Sequence, residues 1–98
     1  MNTSAENTAL SDLGDHIGAM MPDYVLATDI AFGELMLTVG LTGIEKMLKF
    51  LREDSQCRFE IMMDLCGVDY PARDPRFEVV YNLLSITNNQ RIRVKVPV

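Results

Sequence analysis

The chain has no tryptophan, one histidine and two cysteines in 98 residues. Iron–sulfur clusters and structural zinc sites each take about four ligands, so Cys57, Cys66 and a distant His16 fall short of either. Two cysteines are also no disulfide framework; they read as reduced thiols in a cytosolic setting, packed as small hydrophobes. Glycine-rich phosphate loops and nucleophile elbows are missing, and no nucleophile–base pair can be built from the spacing. Long apolar runs are missing too. The most apolar window, 30–41, is broken by Gly33, Glu34 and Gly40, well short of the about 20 residues that span a bilayer. The first residues are acidic, lack arginine and lack a basic segment followed by an apolar one, so neither a secretory signal nor a transit peptide is expected. Positive charge is scarce: 9 Lys and Arg stand against 14 Asp and Glu, for a net charge of −5. Nucleic acid and anionic membrane surfaces both need a basic face, which argues against them as the main partner.

What remains is a globular composition, 48% hydrophobic and 23% charged. A chain this short buries only roughly 60–65% of its unfolded surface, enough for one two-layer core and one domain. Leu10, Leu13, Ile17 and Met20 or Met21 recur at helical spacing, which predicts an amphipathic helix over 8–21, ended by Pro22. Gly14 and Gly18 weaken it by about 1 kcal/mol each relative to alanine. Segments 24–32 and 34–39 alternate and read as a hairpin turning at Gly33, with Tyr24, Leu26, Thr28, Ile30 and Phe32 on one face. Thr42 and Glu45 have the spacing of a capping box. Ile44, Met47, Leu48 and Leu51 then form an i, i+3, i+4, i+7 stripe, giving a second helix that ends near Asp54.

Three more strands follow. The first begins at Phe59, the second covers 77–87, and the last carries Ile92, Val94, Val96 and Val98 inward with Arg91, Arg93 and Lys95 outward. A turn-rich loop over 67–75 joins the first two, and Asn88-Asn89 turns into the last, since asparagine tolerates positive φ. The order α-β-β-α-β-β-β predicts an α+β two-layer sandwich, with two helices on one face of a mainly antiparallel sheet. Residues 1–22 form a tail and helix, and 23–98 the α+β domain, all within a single domain. The strand pattern still runs at Val98, so a longer parent protein is expected.

Each candidate constellation has a plain structural reading beside it. Asp64, Asp69 and Asp74 lie five apart, which fits no calcium loop; they read as turn formers. His16 falls on the polar side of its helix and reads as a solvated surface residue. Arg91, Arg93 and Lys95 form a cationic stripe suited to an acidic partner or a phosphate. With Phe77 and Tyr81 on the neighbouring strand it resembles a nucleic-acid platform. Its plain reading is the solvated face of an edge strand, where charge discourages aggregation. Met62, placed opposite the helices, would suit a protein interface.

The segment F-E-x-x-x-D-L-C-G-V-D-Y-P from Phe59, then R-F-E-V-V-Y-N-L-L-S from Arg76 and N-x-Q-R-I-R-V-K-V-P-V to Val98, resembles the thirty-kilodalton subunit family of proton-pumping NADH:quinone oxidoreductase, respiratory complex I. G-E-L-x-L-T-V at 33–39 and K-F-L-R-E-D at 49–54 are similar to the same family, so the resemblance covers about 23–98. It implies a subunit of the hydrophilic peripheral arm, on the cytoplasmic side of the bacterial inner membrane, packed beside the quinone-site subunit. It implies no cofactor of its own and no catalytic residue; no metal is expected from the ligand count, no nucleic acid from the acidic net charge and no membrane insertion from the short apolar window. The family's E-R-E signature would lie beyond Val98, so partner residues there cannot be placed on this chain. On this chain Asp69, Tyr70, Arg73, Arg76, Arg91 and Arg93 are the expected partner contacts, by loop or outer-face placement. The competing reading is a stand-alone binding module for an acidic ligand or nucleic acid.

Overall fold

The structure, a computed structural model, describes residues 3–31, 33–74 and 76–98. Helix α1 runs Thr3–Met20, five residues earlier at its start than the apolar period predicts. It buries Leu10, Leu13 and Ile17 on the sheet. After it come β1 (Val25–Ala31), β2 (Glu34–Val39), a single 3₁₀ turn (Leu41–Gly43) and α2 (Ile44–Glu53), then β3 (Ile61–Asp69), β4 (Phe77–Ser85) and β5 (Gln90–Pro97). Helix α2 buries Ile44, Met47 and Leu51 and turns its Lys46, Lys49 and Arg52 to solvent, as its stripe predicts. The expected capping box does not form. Thr42 lies inside the 3₁₀ turn, Gly43 is the N-cap, and no side chain caps the helix. Gly43 is required by packing, because the Tyr24 ring occupies the space a Cβ would take.

The sheet order is β1-β2-β5-β4-β3. Only β2 and β5 pair in parallel; the other neighbours are antiparallel. Both helices share one core with the inner faces of β2, β5 and β4, through Leu35, Leu37, Val39, Leu83, Ile92, Val94 and Val96. This is the predicted α+β arrangement. Strand β5, however, is the central strand and not an edge. Its cationic stripe is therefore the outer face of the sheet's middle.

Two irregularities overturn the face assignments read from simple alternation. In β1 the register slips between Val25 and Ala27. Leu26 is the extra residue and is 66% exposed, while Thr28 and Ile30 pair with the inward Leu37 and Leu35. Phe32, also assigned to this face, lies outside the described residues. In β3 a second slip between Met62 and Asp64 puts Met62 opposite Leu83, on the helix side. Met62 was expected on the other face. A bulge leaves one residue unpaired and re-aims its neighbours, so a strict period of two fails across it. The β4–β5 turn is as expected, with Asn89 at φ 51°, and Asn88 ties it to the chain after α2 by donating to the Gln56 and Cys57 carbonyls.

A candidate docking face

The two helices do not cover the whole sheet. Their core reaches β4 through Leu83, with Tyr81 packed against its edge, and includes nothing from β3. Strand β3 is nine residues long and solvent-exposed along nearly all of it. Met62 is 54% exposed, Met63 48%, Leu65 52%, and Phe77 on β4 is 49% exposed. On the helix side, Met62 and Leu65 pair with Leu83 and Tyr81, and Asp69 with Phe77. An open groove of about 410 Å³ separates α2 from this edge, lined by Leu48, Lys49, Phe59, Met62 and Leu83. Bulge residue Met63 instead lines a smaller depression on the outer face, with Asp64, Asn82, Arg91 and Arg93. An edge strand presents unpaired backbone groups; one with apolar side chains on both faces is a template for association.

At one end of this edge the β3–β4 loop is locked by its own charges. Arg76 clamps Asp69 with two hydrogen bonds, 2.7 and 3.0 Å, the fork geometry that arginine favours. This contact pushes the Arg76 guanidinium further up from its ordinary value. Arg73 reaches the buried Glu78 carboxylate at 3.5 Å and lies 4.1 Å over the Tyr70 ring. The backbone closes the loop, Tyr70 N donating to the Arg76 carbonyl at 2.7 Å. Four of the six expected contact residues are thus brought together, and their charges are largely satisfied within the loop.

The other two lie roughly 17–23 Å away along the sheet, Arg93 and Arg91 standing beside positions five and seven residues up β4 from Phe77 at roughly 3.3 Å each. Arg91 pairs in register with Leu84 and is exposed. Arg93 is held by Asn82 at 3.1 Å and by Glu34 at 3.5 Å. Phe77 and Tyr81 project to the helix side, opposite these arginines. The stripe and the aromatic rings therefore do not form one platform, because neighbouring strand positions share a face only at even spacing.

His16 and the cysteines also depart from expectation. His16 is half-buried, and its Nε2 lies 2.9 Å from Asp54 Oδ2. A carboxylate can only accept, so Nε2 carries the proton. Burial alone would push the Asp54 carboxyl up, but hydrogen bonds from His16, the Gln56 backbone N–H and the Cys57 thiol hold it below its ordinary value. Burial, with the adjacent Asp54 charge, pushes the Cys57 thiol up to about 12. Cys57 is buried as expected, but Cys66 is exposed on β3. Sequence spacing could not find this cluster, since 38 residues separate His16 from Asp54.

The fold defines an α+β module with one packed half and one open edge, and no described helix is long and apolar enough to cross a membrane. Residues 37–98 match the family of the 30 Kd subunit of respiratory-chain NADH dehydrogenase. The chain belongs to this family. It is 53% identical over 91 residues to the C subunit of NADH-quinone oxidoreductase from Hyphomonas neptunium, covering 93% of this chain and 45% of that protein. Against the corresponding protein of Rhodospirillum rubrum it is 50% identical over 88 residues, 90% of this chain and 41% of that one. The chain thus spans less than half the length of these relatives. In fold it is similar to a chain of the membrane-bound sulfane sulfur reductase, an archaeal respiratory membrane complex. The TM-score is 0.72 at 22% identity, over 88% of this chain and 48% of that one.

Proposed function

We propose that this chain is a non-catalytic docking subunit, or part of one, in the peripheral arm of a respiratory NADH:quinone oxidoreductase. The observation that carries this reading is the open β3 edge. Ile61, Met62, Met63 and Leu65 are all exposed, divided between the two faces of a strand with a free hydrogen-bonding side, and Phe77 is exposed on the neighbouring β4. A lone soluble domain would leave such an edge as an aggregation site; within an assembly a neighbour covers it. The self-locked loop of Asp69, Tyr70, Arg73 and Arg76 closes one end of that edge and presents a preformed polar rim. Arg91 and Arg93 supply a second, cationic contact on the outer face. Electron transfer is left to neighbouring subunits, the quinone-site subunit among them, and the chain is peripheral on the cytoplasmic side of the inner membrane.

The test is affinity capture of the tagged protein from detergent-solubilised membranes, with mass spectrometry and NADH:quinone activity on the eluate. Co-purification of the other peripheral-arm subunits with activity is the expected result, and Leu65→Asp should abolish it. Recovery of the wild-type protein alone would overturn the reading.

A further inference from the structure

We propose that His16, Asp54 and Cys57 form a binding site for one zinc ion, independent of the docking reading. The three side chains each offer one ligand atom, and these atoms all lie within 4.8 Å of one another. An imidazole nitrogen, a carboxylate oxygen and a thiolate form a mixed hard–soft set that suits zinc, and three protein ligands with one open position is a common zinc arrangement. Bonds of about 2.0–2.3 Å at tetrahedral angles place ligand atoms roughly 3.3–3.7 Å apart. The His16–Asp54 pair, now 2.9 Å apart, would open slightly to admit the ion, and the widest pair would close by about 1 Å.

The surroundings hold the donors in place. Asp54 caps α2, its backbone N–H donating to the Phe50 carbonyl at 2.9 Å. Its own carbonyl accepts from both Cys57 and Arg58 at 3.0 Å, and Arg58 takes φ 52° to complete the tight turn. Asp54 and Cys57 therefore stand on one closed turn, while His16 is delivered by α1 and lies against Phe50, ring centroids 6.1 Å apart. Gln56 N–H also bonds Asp54 Oδ2 at 3.1 Å, the kind of outer hydrogen bond that orients a ligating carboxylate. Cys57 is fully buried, but the His16 and Asp54 side chains are 19% and 16% exposed, which leaves a path for the ion and its water. On binding, the Cys57 thiol gives its proton to solvent and its sulfur to the metal. His16 gives up its bond to Asp54, its Nε2 proton passing through solvent to Nδ1, so that the bared Nε2 and the Asp54 oxygen each take the metal instead; the thiol proton is the net one released per zinc bound.

Cobalt(II) is the probe, because thiolate ligation gives it a sulfur-to-metal charge-transfer band. The purified chain, stripped with EDTA, should develop that band at one equivalent of Co2+, and Zn2+ should displace it. Cys57→Ser should abolish the band and Cys66→Ser leave it intact, while His16→Gln should weaken cobalt binding at least about tenfold. Should Cys57→Ser fail to fold, the unsubstituted chain carries the test. Zn2+ should raise its thermal unfolding midpoint to a saturating value, and His16→Gln should remove that rise. Absence of both the band and the midpoint shift would leave only a hydrogen-bonded latch and overturn the proposal. A band lost with Cys66→Ser and kept with Cys57→Ser would overturn it equally.

Discussion

The sheet has two edges, and the chain treats them differently. Strand β1 is seven residues long, carries Thr28 and Asp29, and is broken by a bulge at its start. Helix α1 packs across it and β2. The Asp29 carboxylate takes the Ile30 N–H at 2.9 Å. Short length, a charge, a bulge and a covering helix are the devices that keep an edge from pairing with another chain. Strand β3 also has a bulge, yet its exposed positions hold Ile61, Met62, Met63 and Leu65, and no residue of it joins the buried core. The first edge is closed to association and the second is open. The two helices leave β3 outside the core they share with the sheet, and that strand is the apolar one.

The largest expected effect lies in the packed half. Leu51→Ala, at a side chain with no exposed surface, should cost about 2–5 kcal/mol of unfolding free energy in urea titration. Leu65→Ala, on the open edge, should cost under about 0.5 kcal/mol. Equal losses at the two sites would break the comparison, since they would mean β3 is as well packed as the core. Next comes Gly43→Ala, where the new Cβ meets the Tyr24 ring; overpacking should cost about 1–3 kcal/mol.

His16→Ala should follow at about 1–2 kcal/mol, because it strips the half-buried Asp54 carboxylate of one donor and unpins α1. Metal-free protein in EDTA is the proper sample, and an unchanged midpoint would show that α1 is held by Leu10, Leu13 and Ile17 alone. The smallest effect on stability belongs to Arg91→Glu with Arg93→Glu. Both lie on the outer face, so the isolated double variant should keep its unfolding midpoint while capture of partner subunits weakens. Unfolding of that variant would instead assign the Arg93 contacts with Glu34 and Asn82 a structural role.

Much of this was legible in the amino-acid order. The stripe Ile44, Met47, Leu48, Leu51 needed only the helical period, and Ile92, Val94 and Val96 needed only the strand period, because each element sits half in the core. Asn89 reached positive φ where an asparagine turn was expected. The residues from Phe59 to Val98 were enough to name a family that the matches then showed.

What the order could not yield were the events that depend on distant partners. A bulge is set by the ladder it joins, so Leu26 and Met62 turned to unforeseen faces. The central place of β5 follows from its parallel pairing with β2, 57 residues away in sequence, and that pairing moved the cationic stripe from an edge to the sheet's middle. Thr42 and Glu45 had a capping spacing, but the 3₁₀ turn took Thr42 out of the cap position. His16 found Asp54 and Cys57 only because the fold brings its place on α1 within 2.9 Å of the Asp54 carboxylate at the end of α2. Local periodicity and turn chemistry act over a few residues, and these the sequence by itself determined. Strand order, face and the meeting of His16 with Asp54 and Cys57 are set by which distant surfaces bury each other, and that only the tertiary structure decided.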